Sequence, residues 1–325
     1  MTVSAGQRSI AVLHAGDTPP GLDAAVTDVL GDADVRLATA DELPAALPGA
    51  DTLLVWDFTS DAVRDCWAAA DAVRWVHTAS AGVDRLIFPG LVESDVVLTN
   101  SRGVFDTPIA EYVAGLVLAF AKDLPRTLAQ QARREWHHRE TEDVAGTRAV
   151  VVGGGPIGRA VAAMLTAIGQ RVDLVGRTAS DGVHAIDDLP ALLPEADTLV
   201  LAAPLTDRTR GLLDAAAIDL LPRRARVINV GRGPLVVQAD LVAALEQGRI
   251  AGAALDVFET EPLPADSPLW TMPNVIVSPH MSGDTTGWRD NLVALFADNL
   301  ARSRDGRPLR NVVDKNRGYV SERHR

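Results

Sequence analysis

Arg232, Glu261 and His280 each stand just past the end of an apolar β-like run, the runs being Arg226 to Val230, Gly252 to Val257 and Val275 to Val277. Arginine keeps its charge at any working pH and presents a fork that matches a carboxylate. Histidine gives and takes a proton near neutrality, and a carboxylate beside it favours the protonated ring and fixes which nitrogen faces outward. Together the three could hold a 2-keto acid by its carboxylate and carbonyl oxygen, and supply the proton an alkoxide needs when hydride reaches the carbonyl carbon. Singly each has a plainer explanation: a loop arginine between two glycines, a turn residue before Pro262, a strand-end histidine satisfied by backbone. Their position at successive strand ends is what joins them.

The elements that must position them run from Arg148 to His280, where short β-branched runs alternate with helical segments. Six strands are predicted: Arg148 to Val152, Arg171 to Val175, Thr198 to Leu201, Arg226 to Val230, Gly252 to Val257 and Val275 to Val277. Helices such as Ile157 to Ile168 and Ala239 to Gln247 lie between them. This alternation implies a parallel sheet covered on both faces, and such sheets bind ligands beyond the carboxyl ends of their strands. The first strand runs straight into Gly153-Gly154-Gly155-Pro156-Ile157-Gly158, which opens a helix. Gly153 permits the tight turn, Gly155 lets a pyrophosphate approach the backbone, and Gly158 lets helix and strand pack closely, so the turn reads as a dinucleotide site. A tight strand-to-helix connection is the plainer alternative.

About twenty residues on, where an NAD-binding fold places an acid for the ribose hydroxyls, the chain reads Val175-Gly176-Arg177-Thr178. Arg177 offers a guanidinium and Thr178 a hydroxyl to a 2′-phosphate, so the residues favour NADP over NAD. A surface role for Arg177, with Asp173 or Asp181 reaching the ribose, keeps NAD open.

The first hundred residues carry a second, smaller alternation: Ser9 to Leu13, Val35 to Ala38, Thr52 to Val55, Trp75 to Thr78 and Val96 to Thr99. With 325 residues the chain fits two domains. The stretch Thr107 to Lys122 reads as a long helix with Pro108 at its first position, and Trp288 to Ser303 as a terminal helix that must pack on a domain. The net charge of −12, without a basic run, disfavours nucleic acid and anionic membranes as partners. Cys66 is the single cysteine, so neither an internal disulfide nor a cysteine metal cluster is available, and no metal is expected. Met1 to Pro20 lacks a basic stretch followed by a long apolar one, so a cytoplasmic protein is expected.

These stretches resemble the D-isomer-specific 2-hydroxyacid dehydrogenases. The resemblance rests on Val151 to Gly158, Ile228 to Gly233, Leu255 to Leu263, Ser267 to Trp270, Pro273 to Val275, Pro279 to Gly283, Thr99 to Gly103 and Asn311 to Asp314. It implies an α/β fold of two doubly wound parallel-sheet domains, a Rossmann cofactor domain over residues 100–284 inserted in a flavodoxin-like substrate domain formed by residues 1–99 and 285–325. It implies that Arg232 binds substrate, His280 is the acid/base and Glu261 supports it. Asp256 corresponds to the partner of the nicotinamide carboxamide. Pro156, Ile157, Ala203, Pro204, Val230, Gly231 and Gly283 fall along the cofactor, beside the glycines of the turn. Ser80, Ala81 and Gly82 match the loop whose backbone N–H groups hold the substrate carboxylate, a small-residue turn being the plainer alternative.

Family members are usually homodimers in which the region matching Leu124 to Glu142 reaches across the partner, with Trp136 near the neighbour's active site or simply a packing anchor. The reaction implied is hydride transfer between NAD(P)H and a small 2-keto or D-2-hydroxy acid, glyoxylate or hydroxypyruvate first. The chain stops soon after its terminal helix, so the regulatory domain of long phosphoglycerate dehydrogenases is not expected. The rival readings are a nucleotide-sensing binding protein, because a relative of the family serves as a transcriptional corepressor, and a formate- or phosphite-type dehydrogenase.

Overall fold

The structure is a computed structural model that describes residues 8–320, and it divides the chain into two units, 1–104 with 285–325 and 105–284. The first break falls after Val104 rather than after Thr99. The expectation of no export signal across Met1 to Pro20 rests in part on residues 1–7, which lie outside the described range. Among the described residues no helix is long and apolar enough to cross a membrane.

The first unit is built on a parallel sheet of β1 (Ser9–Leu13), β2 (Asp34–Ala38), β3 (Thr52–Val55), β4 (Trp75–Thr78) and β5 (Val97–Thr99) in the order β2-β1-β3-β4-β5. This is the flavodoxin-like order. All residues of β1, β3 and β4 are buried, which is why they read as continuous runs instead of alternating ones. The helix Trp288–Arg304 lies against the helix Leu22–Leu30, and its Phe296 stacks on Trp75 with ring centroids 5.3 Å apart. A short antiparallel pair, β13 (Val313–Asp314) with β14 (Tyr319–Val320), completes this unit among the described residues.

The second unit carries seven parallel strands: β6 (Arg148–Val152), β7 (Arg171–Gly176), β8 (His184–Ala185), β9 (Thr198–Leu201), β10 (Arg226–Asn229), β11 (Gly252–Leu255) and β12 (Val275–Val277), ordered β12-β11-β10-β9-β6-β7-β8. The sequence pattern predicts six of them. The seventh, β8, is a two-residue edge strand with no apolar run to announce it. Strand order reverses at β6, between β7 and β9, and at that switch point the glycine turn leaves the sheet. Helix Asp106–Ala121 packs against helix Pro156–Ala167. It starts one residue before Thr107, so Pro108 is third in the helix; the first-turn N–H groups have no intrahelical acceptor, and proline costs nothing there.

Candidate active site

The three glycines of the turn after β6 have different reasons to be glycine. Gly153 has φ 139°, and a Cβ there would stand 2.6 Å from the carbonyl oxygen of Ala202. A Cβ on Gly158 would meet the Gly153 carbonyl oxygen. Both are required by the fold itself. Gly155 has φ −78° and nothing within 4 Å of where its Cβ would be, so no contact inside the protein demands it. A bare backbone at the N-terminus of the helix Pro156–Ala167 leaves room for a pyrophosphate and faces it with unsatisfied N–H groups. The residues fit a dinucleotide.

Gly176, the last residue of β7, is half-buried, and Arg177 and Thr178 just beyond it are exposed. Asp173, one alternative for the ribose, lies within β7 with its carboxylate 2.6 Å from Arg148 Nε and 3.4 Å from His184 Nε2. It is therefore already engaged, whereas Asp181 is exposed in the bend before β8. After β9, Ala203 is buried and the Pro204 carbonyl accepts from the Thr209 hydroxyl at 2.7 Å.

Arg232 follows β10 in a loop pinned on both sides. A Cβ on Gly231 would lie 2.9 Å from the Ala203 carbonyl oxygen, and one on Gly233 would overlap the Phe258 carbonyl. Buried Asn229 threads the same loop: its Oδ1 accepts from Gly231 N–H at 3.1 Å and its Nδ2 donates to the Arg232 carbonyl at 3.0 Å. The arginine's own Nη1 donates to the Gly231 carbonyl at 2.8 Å. Sequence reading missed Asn229, although an asparagine inside the run Val227-Ile228-Asn229-Val230 is itself a signal, since a buried amide needs partners.

His280 has φ 52°, a left-handed backbone that a non-glycine residue adopts only when its surroundings hold it there. Asp256 does the holding. Its backbone carbonyl accepts from His280 N–H at 2.8 Å, and its buried carboxylate accepts from Ser278 Oγ at 2.7 Å, Met281 N–H at 2.9 Å and Ser282 N–H at 2.9 Å. No local pattern announces this organising part for Asp256, which the family resemblance assigns to the nicotinamide. Gly283 also has a packing reason, because a Cβ there would lie 2.7 Å from the Phe105 ring.

So held, His280 Nδ1 lies 2.8 Å from Glu261 Oε2, while Glu261 Oε1 accepts from Phe258 N–H at 2.9 Å. Burial disfavours the charged form of Glu261, but the His280 and Phe258 hydrogen bonds and the charges of His280 and Arg232 outweigh it and hold the carboxyl below its usual range. An ionised carboxylate only accepts, so Nδ1 carries the hydrogen and Nε2 is the nitrogen left for exchange. Both side chains are about one-third exposed, enough for a substrate to reach the ring.

The remaining predicted residues, Ser80, Ala81 and Gly82, follow β4 in the first unit, with Ser80 buried and the other two half-buried. Ser80 Oγ donates to the Gly82 carbonyl at 2.6 Å, and Asn100 Nδ2 to the Ala81 carbonyl at 2.6 Å.

A dinucleotide turn and an Arg, Glu, His set on one doubly wound sheet define the class: a nicotinamide-dependent dehydrogenase. The family model for the D-isomer specific 2-hydroxyacid dehydrogenase NAD binding domain matches residues 114–282. The D-3-phosphoglycerate dehydrogenase of Methanocaldococcus jannaschii is 31% identical over 298 residues, 89% of this chain; the match spans 56% of that enzyme's own length. Glyoxylate/hydroxypyruvate reductase B of Citrobacter koseri is 34% identical over 74% of this chain and 78% of its own. Among solved structures, a D-isomer specific 2-hydroxyacid dehydrogenase from Xanthobacter autotrophicus Py2, in complex with NADPH and MES, superposes with TM-score 0.83 at 34% identity over 97% of this chain and 100% of that one. An NADPH-dependent glyoxylate/hydroxypyruvate reductase from Sinorhizobium meliloti, in complex with NADP and sulfate, does so with TM-score 0.82 at 31% identity, over the same shares of the two chains. The chain belongs to the D-isomer-specific 2-hydroxyacid dehydrogenase family, whose members are NAD(P)-dependent oxidoreductases of 2-hydroxy acids.

Proposed function

We propose that the chain reduces small 2-keto acids to D-2-hydroxy acids with NADPH, glyoxylate and hydroxypyruvate being the first to test, and runs the reverse oxidation when given the hydroxy acid and NADP. The observation that carries this reading is the 2.8 Å contact of His280 Nδ1 with Glu261, beside Arg232. The nicotinamide, when bound, supplies the hydride. Protonated His280 gives its Nε2 proton to the carbonyl oxygen as negative charge forms there, and the neutral ring takes it back in the reverse direction. Ionised Glu261 stabilises the charged ring and keeps Nε2 turned to the substrate. Arg232 holds the carboxylate and draws charge from the carbonyl oxygen, and the Ser80, Ala81 and Gly82 turn adds backbone N–H groups to the carboxylate.

The substrate choice is supported by relatives named glyoxylate/hydroxypyruvate reductase. The cofactor choice is supported by Gly176-Arg177-Thr178 standing where an acid would otherwise hold the ribose, by the engagement of Asp173 elsewhere, and by neighbours that carry NADPH or NADP. Gly153, Gly155, Gly158, Pro156 and Ile157 take the pyrophosphate, with Ala203, Pro204, Val230, Gly231, Asp256 and Gly283 farther along the cofactor. A homodimer is supported by the exposed Leu124, Leu128 and Trp136, the last of them 97% accessible. A cytoplasmic enzyme without nucleic-acid partners completes the reading.

The test is the loss of NADPH absorbance with a panel of 2-keto acids. No turnover on any of them, with His280→Ala indistinguishable from the parent, refutes the enzyme proposal. Arg177→Ala should raise the KM for NADPH on the order of tenfold and that for NADH less than twofold, as loss of one phosphate contact requires. Equal effects refute the phosphate contact. Sedimentation that finds only monomer at micromolar concentration refutes the dimer.

A further inference from the structure

The first unit buries a titratable ring that the reaction does not use. His77, third residue of β4, is 1% exposed, with its ring 5.6 Å from that of Phe296 and 6.0 Å from that of Trp75. Burial pushes its imidazole down to about 3, so the ring is neutral at any pH where such an enzyme works. It cannot serve as a proton carrier, yet its two nitrogens are not equivalent.

The direction of its hydrogen bonds can be read from groups that have only one option. Trp75 Nε1–H can only donate, and it donates to Thr99 Oγ1 at 2.8 Å. The Thr99 hydroxyl hydrogen then has two acceptors, His77 Nδ1 at 2.7 Å and the Val76 carbonyl at 3.5 Å, and the shorter contact is the hydrogen bond. With Nδ1 accepting, the neutral ring bears its hydrogen on Nε2, which faces Ser101 Oγ at 3.4 Å. Ser101 Oγ in turn donates to the Thr78 carbonyl at 2.9 Å. The opposite tautomer would ask the single Ser101 hydrogen to serve both the Thr78 carbonyl and the ring.

This chain ends at the turn after β4. Ser101 N–H donates to the Ser80 carbonyl at 2.9 Å, Asn100 Nδ2 to the Ala81 carbonyl at 2.6 Å, and Ser80 Oγ, 3.0 Å from the Thr78 hydroxyl, to the Gly82 carbonyl at 2.6 Å. Three successive carbonyls are thus drawn toward the buried network. The peptides here are trans, so each carbonyl points opposite to the N–H that follows it, and the N–H groups of Ala81, Gly82 and Val83 turn away from the network. Among the described residues those three N–H groups have no acceptor. Adjacent backbone N–H groups freed in this way form an anion-binding concavity.

We propose that the buried chain Trp75, Thr99, His77 and Ser101, with Asn100 and Thr78, is the device that aims the N–H groups of residues 81–83 at the substrate carboxylate, and that His77 is a positioning residue acting as the neutral Nε2–H tautomer. This rests on the reading of Ser80 to Gly82 as the carboxylate loop.

His77→Phe keeps a ring between Trp75 and Phe296 and removes both nitrogens. With glyoxylate and NADPH, its KM for glyoxylate should rise about tenfold, the scale of one impaired charge-assisted hydrogen bond, while kcat and the Kd of NADPH by fluorescence titration stay within about twofold. His77→Gln, which restores a donor near Nε2, should recover most of the lost affinity. An unchanged KM, or kcat and NADPH affinity falling together with it, overturns the proposal. The parent protein offers a test that needs no variant: nitrogen NMR of its histidines should show the 77 ring protonated on Nε2, and an Nδ1–H ring overturns the assignment. Gly82→Pro separates this inference from the reading beneath it, because it deletes one of the N–H groups. If Gly82→Pro leaves the KM for glyoxylate unchanged, the turn does not bind the carboxylate; if it raises KM while His77→Phe does not, the network alone is refuted.

Discussion

His77 lies inside β4 of one parallel sheet and His280 just beyond β12 of the other, and the difference between them lies in what surrounds each ring. His77 meets aromatic rings and neutral hydroxyls, with no carboxylate in contact, so desolvation acts unopposed and the ring stays neutral. His280 is one-third exposed and shares its Nδ1 hydrogen with Glu261, so a charge on it is both solvated and paired. In each case one nitrogen is fixed by a partner and the other is left for a second contact: Nε2 of His77 faces Ser101, and Nε2 of His280 is the nitrogen that Glu261 leaves free for the proposed proton transfer. A histidine deep in a sheet can orient a loop but cannot carry a proton, whereas one at the rim can do both.

That contrast is sharpest in turnover. His280→Asn should lower kcat about 10³-fold, within the range for loss of a positioned general acid, with the Kd of NADPH unchanged. His77→Phe should leave kcat within about twofold, read in the same initial-rate assay. A large loss of kcat in both variants would erase the distinction.

Stability against pH reverses the order of the two residues. An unfolded histidine titrates near 6.5, and folded His77 near 3. Above pH 6.5 the ring is neutral in both states and does not bear on stability. As pH falls below 6.5 the unfolded ring takes up a proton that the folded ring refuses, so unfolding is favoured until the pH reaches the folded value. The loss should be roughly 2 to 3 kcal/mol between pH 7 and 4.5, measured by urea unfolding, and His77→Phe should flatten that stretch of the profile. Glu261 acts in a lower window: its carboxyl is held below its ordinary value of 4.5, so the stability it contributes is present above that pH and lost beneath it. An identical acid slope in parent and His77→Phe would mean that the buried ring can be protonated in place.

Much of this arrangement is legible in the amino-acid sequence. Buried parallel strands are continuous apolar runs, so Arg148–Val152 and Thr198–Leu201 have the limits their sequences suggest. The runs at Arg226 and Gly252 extend past their strands, because Val230 and Val257 continue the apolar pattern after the ladder has stopped at Asn229 and Leu255. There the chain must leave the sheet to set Arg232 and to tie Asp256 to the His280 turn. Placement of the three chemical residues needed only strand ends, which periodicity supplies. Asn229, the several bonds of Asp256 and the whole His77 network depend on pairs far apart in the chain, Asp256 with Ser282 and His77 with Thr99, and no local pattern encodes such a pair. A histidine between valine and threonine in a strand looks like any other strand residue.

The smallest expected effects come from removing the partner of each ring while leaving the ring in place. Glu261→Gln takes the charge from beside His280 at a site that is one-third exposed, where the loss of a pair costs little stability. It should lower kcat on the order of tenfold, because the ring loses the carboxylate that fixes its Nδ1 hydrogen and its orientation, while the urea midpoint barely changes. Thr99→Val is the matching deletion at His77. It strands the Trp75 Nε1–H and the His77 Nδ1 without partners in a site that water does not reach, so it should cost about 1 to 3 kcal/mol in unfolding free energy with kcat unaltered. The two deletions are alike in chemistry and should be opposite in readout. If Thr99→Val lowered kcat as Glu261→Gln does, the buried network would reach the reacting atoms themselves; if Glu261→Gln lowered stability as Thr99→Val does, the exposed pair would be holding the fold. Either result would dissolve the division between a ring that orients and a ring that reacts.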